Sequence, residues 1–218
     1  MQSILIIVLV VATGVICVKL PGYYANFKAA TVWRQATAKH NNGNTAEALI
    51  QFKTIYSQLQ WNGRFLYHYG NTLMKQGTYQ EAIACYESGK TLLPFSSLYE
   101  NLGMAYLAQA SITNDVNITE EYYRRADSNL RAAAAILPWR ITPRYNLAYL
   151  HYRCGHTNKV LEYASQIIEM PMKKYNPHSI AMKQEAKKYL LHYGYTNVFI
   201  FTNVFNIYDR SMWNEGKW

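Results

Sequence analysis

Six histidines, three cysteines and thirteen carboxylates are the residues of this chain best suited to chemistry. Their spacing does not gather them. The histidines stand at 40, 68, 151, 156, 178 and 192, and no two are four apart. No helix face therefore presents the paired imidazoles of a zinc-protease motif. His151 and His156 are five apart across the end of a helix, which reads as a packed or exposed pair rather than a ligand pair. Glu120 and Glu121 are adjacent, so they diverge on a helix and cannot oppose each other as acid and base. Cys17, Cys85 and Cys154 form no CxxC, so neither zinc nor thiol-redox chemistry is indicated. All three are expected to be buried, unpaired thiols. The sequence contains no GxSxG, P-loop, GxGxxG or HExxH. No catalytic residue, metal or cofactor is expected from this chain.

What remains is binding chemistry. The chain has 218 residues, 50% of them apolar and only 16% charged, with 20 tyrosines. That is enough apolar material to bury a core and too little charge for a disordered tail. The 22 basic and 13 acidic residues leave a net charge of +9. A basic balance favours phosphate-rich partners: nucleic acid, anionic lipid or phosphorylated glycolipid. No nucleic-acid motif accompanies the charge, so nucleic-acid binding is not expected. The excess concentrates between Arg140 and Lys188, where a solvated basic face is expected.

Ile4 to Val18 carries no charge, and with its flanks the run reaches about 20 residues, the length of a membrane-spanning helix. A cleaved signal peptide would have basic residues before the run and small residues after it. Neither is present, so an uncleaved single-pass anchor over residues 1–22 is expected, ending where Pro21-Gly22 breaks the backbone. Lys19, Lys28, Arg34 and Lys39 all follow the run. The positive-inside rule would then put the bulk of the chain on the cytoplasmic side, provided Met1 is the natural start.

The strongest signal is self-similarity. Gly43-Asn44-Thr45-Ala46-Glu47-Ala48 returns 34 residues later as Gly77-Thr78-Tyr79-Gln80-Glu81-Ala82, and again from Gly155. A further copy opens at Leu102-Gly103-x-x-Tyr106, with Ala126 where Ala82 stood. Its extra length is the polar stretch 111–119, expected in the turn between its helices. Each unit reads as two helices. Ala48/Phe52, Ala82/Tyr86, Ala126/Leu130 and Val160/Ala164 place a small residue at the crossing, usually with a bulky one four on. Asn176-Pro177 then starts a capping helix (176–193). It is expected to turn Ile180, Ala181, Ala186, Leu190 and Leu191 inward and Lys183, Lys187 and Lys188 outward. Residues 194–218 do not fit the repeat and could fold back, lie on a membrane or be poorly ordered.

Leu102-Gly103-x2-Tyr106 and Ala82-x3-Tyr86…Pro94 resemble the tetratricopeptide repeat, W-x2-L-G-x2-Y…A-x3-F…P. The resemblance implies an all-α helix-pair solenoid over 23–175, four repeats long, whose first helices line a groove for a peptide or helix of a protein partner. Carried residue by residue, it implies groove positions at Trp33, Arg34, Thr37 and His40, then Arg64, Tyr67, His68, Asn71 and Lys75. It continues with Glu100, Asn101 and Met104, then Tyr145, Asn146, Tyr149, Tyr152 and Arg153. Rings beside amides and cations suit a polar chain. The family's clamp for C-terminal carboxylates needs Lys and Asn where Trp33 and Thr37 stand, so that activity is not implied.

The passages Leu137–Ala148 and Pro171–Lys188 are similar to the C-terminal region of bacterial O-antigen ligase family membrane proteins of the Bacteroidetes type. That resemblance implies a non-enzymatic inner-membrane module of the cell envelope that works beside glycan-assembly proteins. No ligase residue lies here to be carried over. The alternative is a general scaffold for a membrane complex unrelated to glycans.

Overall fold

The structure is a computed structural model that describes residues 27–171 and 176–194. The expected anchor, and the stretch after Gly194, lie outside the described residues. Among the described residues the regular structure is helical, and no helix is long and apolar enough to cross a membrane. The chain divides into two compact units at Pro94 and Phe95.

The first unit holds α1 (27–41), α2 (Thr45–Leu59), α3 (Gly63–Gln76) and α4 (Tyr79–Leu92). The repeated glycine ends the first helix of each pair. Gly77 has φ 81, a left-handed backbone that an L side chain resists. It lets the Thr78 N–H reach back to Leu73 O at 3.1 Å and close the helix end. Asn62 starts α3, its side chain accepting from the Arg64 and Phe65 N–H groups at 3.0 and 3.1 Å. The small-then-bulky pairs meet as the repeat spacing requires. Ala48, Phe52, Ala82 and Tyr86 are wholly buried. A Cβ at Gly70 would stand 2.5 Å from the Tyr86 ring, so glycine is what lets α3 and α4 approach. Phe52 stacks on Tyr69 at 5.6 Å and lies 5.7 Å from Phe65. Each such buried ring or leucine contributes about 1.5–3 kcal/mol.

The second unit holds α5 (Ser96–Ile112), α6 (Val116–Ile136), α7 (Ile141–Arg153), α8 (Thr157–Glu169) and α9 (Pro177–His192). Here Gly103 faces Leu130, with a Cβ reaching within 2.7 Å of it. The insertion does not lengthen the turn as expected. α5 runs to Ile112 and α6 begins at Val116, so the extra residues extend both helices. The physical reason is capping: Asp115 accepts from the Ile118 N–H at 3.1 Å, and Glu121 pairs with Arg124 and Arg125 a turn later. Polar residues here start a helix.

Helix α9 packs against α7 and α8, capped by Asn176 with Pro177 in its first turn. Two expectations for it are corrected. Its buried stripe is Met182, Lys183, Ala186 and Leu190, while Ala181 and Leu191 are exposed. Lys183 turns inward: its Nζ donates to Ile168 O at 2.9 Å and to Met170 O. An ammonium at the carbonyl end of α8 satisfies acceptors the helix leaves open and complements its dipole. Burial holds this amine below the usual lysine range.

Candidate partner-binding faces

In the first unit α1 and α3 lie side by side. Trp33 meets Phe65 and His68 edge-on, both at 5.9 Å, and His40 Nδ1 lies 3.1 Å from Thr72 Oγ1. The Thr72 hydroxyl donates to His68 O at 3.0 Å. His40 Nδ1 is therefore the donor to Thr72, and its Nε2 is the nitrogen left to take up a proton. Thr37 spends its hydroxyl on Trp33 O. Arg64, His68, Asn71 and Lys75 follow one another at three- and four-residue steps, so they share one face of α3. Tyr67 lies beside them, its ring 5.3 Å from His68. Arg34, Arg64 and Lys75 are exposed, and Lys75 Nζ donates to His40 O at 3.3 Å. Asn71 accepts from the Tyr86 hydroxyl at 2.6 Å, so its oxygen is occupied.

These charges lie close enough to act on one another. Burial first, then Lys75 and His68, push the His40 pKa down. Burial, then Arg64, pushes His68 down. Both imidazoles are thus held neutral in a field of like charge.

The second unit treats its expected groove residues differently. Asn146 is buried and donates to Glu100 Oε1 at 3.0 Å. Arg140 donates to Ser97 Oγ at 2.9 Å and brings Nη1 within 3.1 Å of Glu100 Oε2, though out of hydrogen-bond alignment. Burial raises the Glu100 pKa, opposed by Arg140, Asn146 and His178. Asn146 and Glu100, expected in the groove, are therefore internal brackets joining α5 to α7. Arg153 donates to the Tyr149 hydroxyl at 3.3 Å, and Tyr152 packs on Tyr189 of α9 at 5.2 Å. Tyr145, Tyr149 and Tyr152 thus gather near Tyr189. Burial, with those rings and Glu185, raises the Tyr189 pKa to about 12. Asn101 and Met104 are half-buried on α5.

Sequence reasoning missed Arg140, Thr72 and Tyr189. One signal pointed to the Glu100 bracket: Glu100 is the acid of α5 with no basic residue three or four positions away on its own helix.

The basic stretch from Arg140 is not one solvated face, since Arg140 turns to Glu100 and Lys183 inward. His151 and His156 are a packed pair, Nδ1 to Nδ1 at 3.3 Å. His151 stacks on Tyr163 at 5.6 Å and brings Nε2 within 3.0 Å of Asp127. Burial raises the Asp127 pKa, but His151 and Arg131 outweigh it and hold it at about 2. Among the described residues no three histidine, cysteine, aspartate or glutamate side chains could hold a metal ion. Cys85 is buried and free; burial and Glu81 push its thiol up to about 12, which makes it unreactive. Cys154 is free and half-buried, and Cys17 lies outside the described residues.

No family model matches the chain, and no curated protein is recognisably similar to it. Solved structures are similar in fold. A thermophilic TPR protein of Thermus thermophilus, TTC0263, superposes with a TM-score of 0.62 at 18% identity, over 76% of this chain and 83% of that one. MamA (41-end) from Desulfovibrio magneticus RS-1 gives 0.57 at 18% identity, over 65% and 75%. A further MamA crystal structure gives 0.55 at 19% identity, over 75% and 88%. At these identities the likeness is one of fold, and by fold the chain is a tetratricopeptide-like helical-repeat protein.

Proposed function

We propose that this chain is an interaction scaffold, held at a membrane by its N-terminal apolar run, that binds a protein partner on the faces of its first helices. The observation that carries the reading is the α1/α3 face. Arg64 and Lys75 are exposed on it, and Arg34 is exposed on α1, with no ion pair to any of the three among the described residues. Helix-pair repeats commonly present such faces to partners. The apolar run from Ile4 to Val18 supports membrane attachment. The similarity of Leu137–Ala148 and Pro171–Lys188 to the tail of O-antigen ligase family proteins supports a place beside cell-envelope polysaccharide assembly, in a bacterial inner membrane.

The test is a cross-linked pull-down from native membranes with the full chain as bait, read by mass spectrometry. Glycan-assembly proteins recovered with the parent, and lost with Arg64→Ala/Lys75→Ala, are the expected result. Recovery of membrane proteins unrelated to glycans would remove the envelope assignment and leave the scaffold. Recovery unchanged by the double substitution would remove the face.

A further inference from the structure

The distribution of charge in the first unit goes beyond a general binding face. Its first helices hold Lys28, Arg34 and Lys39 on α1 and Arg64 and Lys75 on α3, and not one acid. Its acids, Glu47, Glu81 and Glu87, all sit on the second helices, α2 and α4. Lys39 is neutralised by Glu47 at 2.8 Å. Arg64 and Lys75 have no such partner among the described residues. They are three turns apart on one helix face, about 16 Å at 1.5 Å per residue. About five residues of extended chain span that distance. Between them lie His68 and, from α1, His40, flanked by the Trp33 and Tyr67 rings.

We infer that the α1/α3 face of the first unit binds an acidic, extended peptide segment of the partner, with carboxylates about five residues apart seated on Arg64 and Lys75. This rests on the reading of the chain as a protein-binding scaffold and specifies the partner's chemistry. Charge complementarity selects the occupant, because an uncompensated pair of cations gains most from carboxylates that replace water. A nucleic acid fits less well. Its phosphates repeat at every nucleotide, whereas this face puts neutral imidazoles and rings between two distant cations. The histidines add a consequence. Burial first, and like-charged neighbours after it, hold His40 and His68 below the usual imidazole range, and a bound carboxylate would oppose the charge part of that shift. Binding then takes up protons and tightens on acidification. Among the described residues the charged and titratable groups facing the two imidazoles are Arg64, Lys75, Tyr67 and each other.

The experiment measures fluorescence anisotropy of three labelled probes with the full chain in neutral detergent. They are a Glu-rich peptide, its Gln counterpart and a single-stranded oligonucleotide of equal charge. The Glu peptide should bind, the Gln peptide should not, and Arg64→Ala/Lys75→Ala should weaken binding roughly tenfold or more. The charge-matched Lys53→Ala/Lys159→Ala should change it little, since neither lysine is on this face. His40→Gln/His68→Gln should remove the tightening on acidification. Equal weakening by both double variants, equal binding of the Gln peptide, or tighter oligonucleotide binding through Arg64 and Lys75 would each overturn the inference. If partner capture depends on Arg64 and Lys75 while the Glu peptide fails to bind, the scaffold reading stands and the acidic identity falls.

Discussion

His68 and Asn146 occupy the same place in their repeats, each nine residues before the glycine that ends its helix. Their fates differ. His68 is half-buried beside Arg64, its ring against those of Trp33 and Tyr67. Asn146 is buried and bonded to Glu100, which also faces Arg140. Lys75 and Arg153 are a second such pair. Lys75 touches only a carbonyl of α1, whereas Arg153 donates to Tyr149 on its own helix. One repeat position can therefore serve packing or recognition. At the His68/Asn146 position what decides is whether the neighbouring first helix supplies a carboxylate. In the second unit α5 offers a carboxylate to α7; in the first unit α1 and α3 meet through rings, the Thr72 hydroxyl and the His40 carbonyl, and neither helix carries a carboxylate.

The sharpest way to break this comparison is to remove a bracket. Glu100 carries the one carboxylate joining Asn146 and Arg140, and burial leaves it little water to fall back on. Arg140→Ala should cost about 2–3 kcal/mol, because it leaves a buried carboxylate without its cation. Arg64→Ala in the first unit should stay within about 0.5 kcal/mol, as exposed substitutions do. Urea unfolding followed by circular dichroism measures both. Equal losses would mean that the cations of the two units do the same work.

A smaller effect tests whether the units share their packing rule while differing in their faces. Gly70→Ala and Gly103→Ala should both destabilise, by about 1–3 kcal/mol, despite the better helix propensity of alanine. The added methyl meets Tyr86 in one unit and Leu130 in the other. Tyr86 cannot swing away without giving up Asn71. Leu130→Ala should relieve much of the Gly103→Ala penalty, and thermal unfolding of the double variant reads that coupling.

These packing contacts were legible in the sequence because they depend on residue size at a fixed period. Ala48, Ala82 and Ala126, each with a bulky residue four on, repeat in register, and the helix pairs follow from them. The polar pairings were not legible. Glu100 and Asn146 are 46 positions apart. Nothing in composition says that one amide faces inward while its counterpart, His68, stays at the surface. Lys183 misled for the same reason. Its type argues for solvent, and only the open carbonyls at the end of α8 bring it inside. The 111–119 stretch misled because the same residue types start helices and make turns. Asp115 and Glu121 settle it through hydrogen bonds formed only once α6 exists.

The smallest effect is also the most selective, because it differs in sign between the units. His40 and His68 have folded pKa values below the unfolded value, with burial the main cause and neighbouring positive groups adding to it. The unfolded chain then binds protons that the first unit resists. Their contribution is present above about pH 6.5 and is lost as pH falls through the lowered folded values. Glu100 runs the other way. Burial raises its folded pKa, so its contribution is complete below the unfolded value and is lost as pH rises through the raised one. Acidification between about pH 6.5 and 4.5 should therefore loosen α3, while Glu100 offsets any loosening of α5. Residue-resolved amide hydrogen exchange separates the two helices. Exchange in α3 should quicken on acidification in the parent chain and quicken less in His40→Gln/His68→Gln. An equal acceleration in α3 and α5, unchanged by the histidine substitutions, would show that folding does not hold the imidazoles below their ordinary range and would undo the contrast between the two faces.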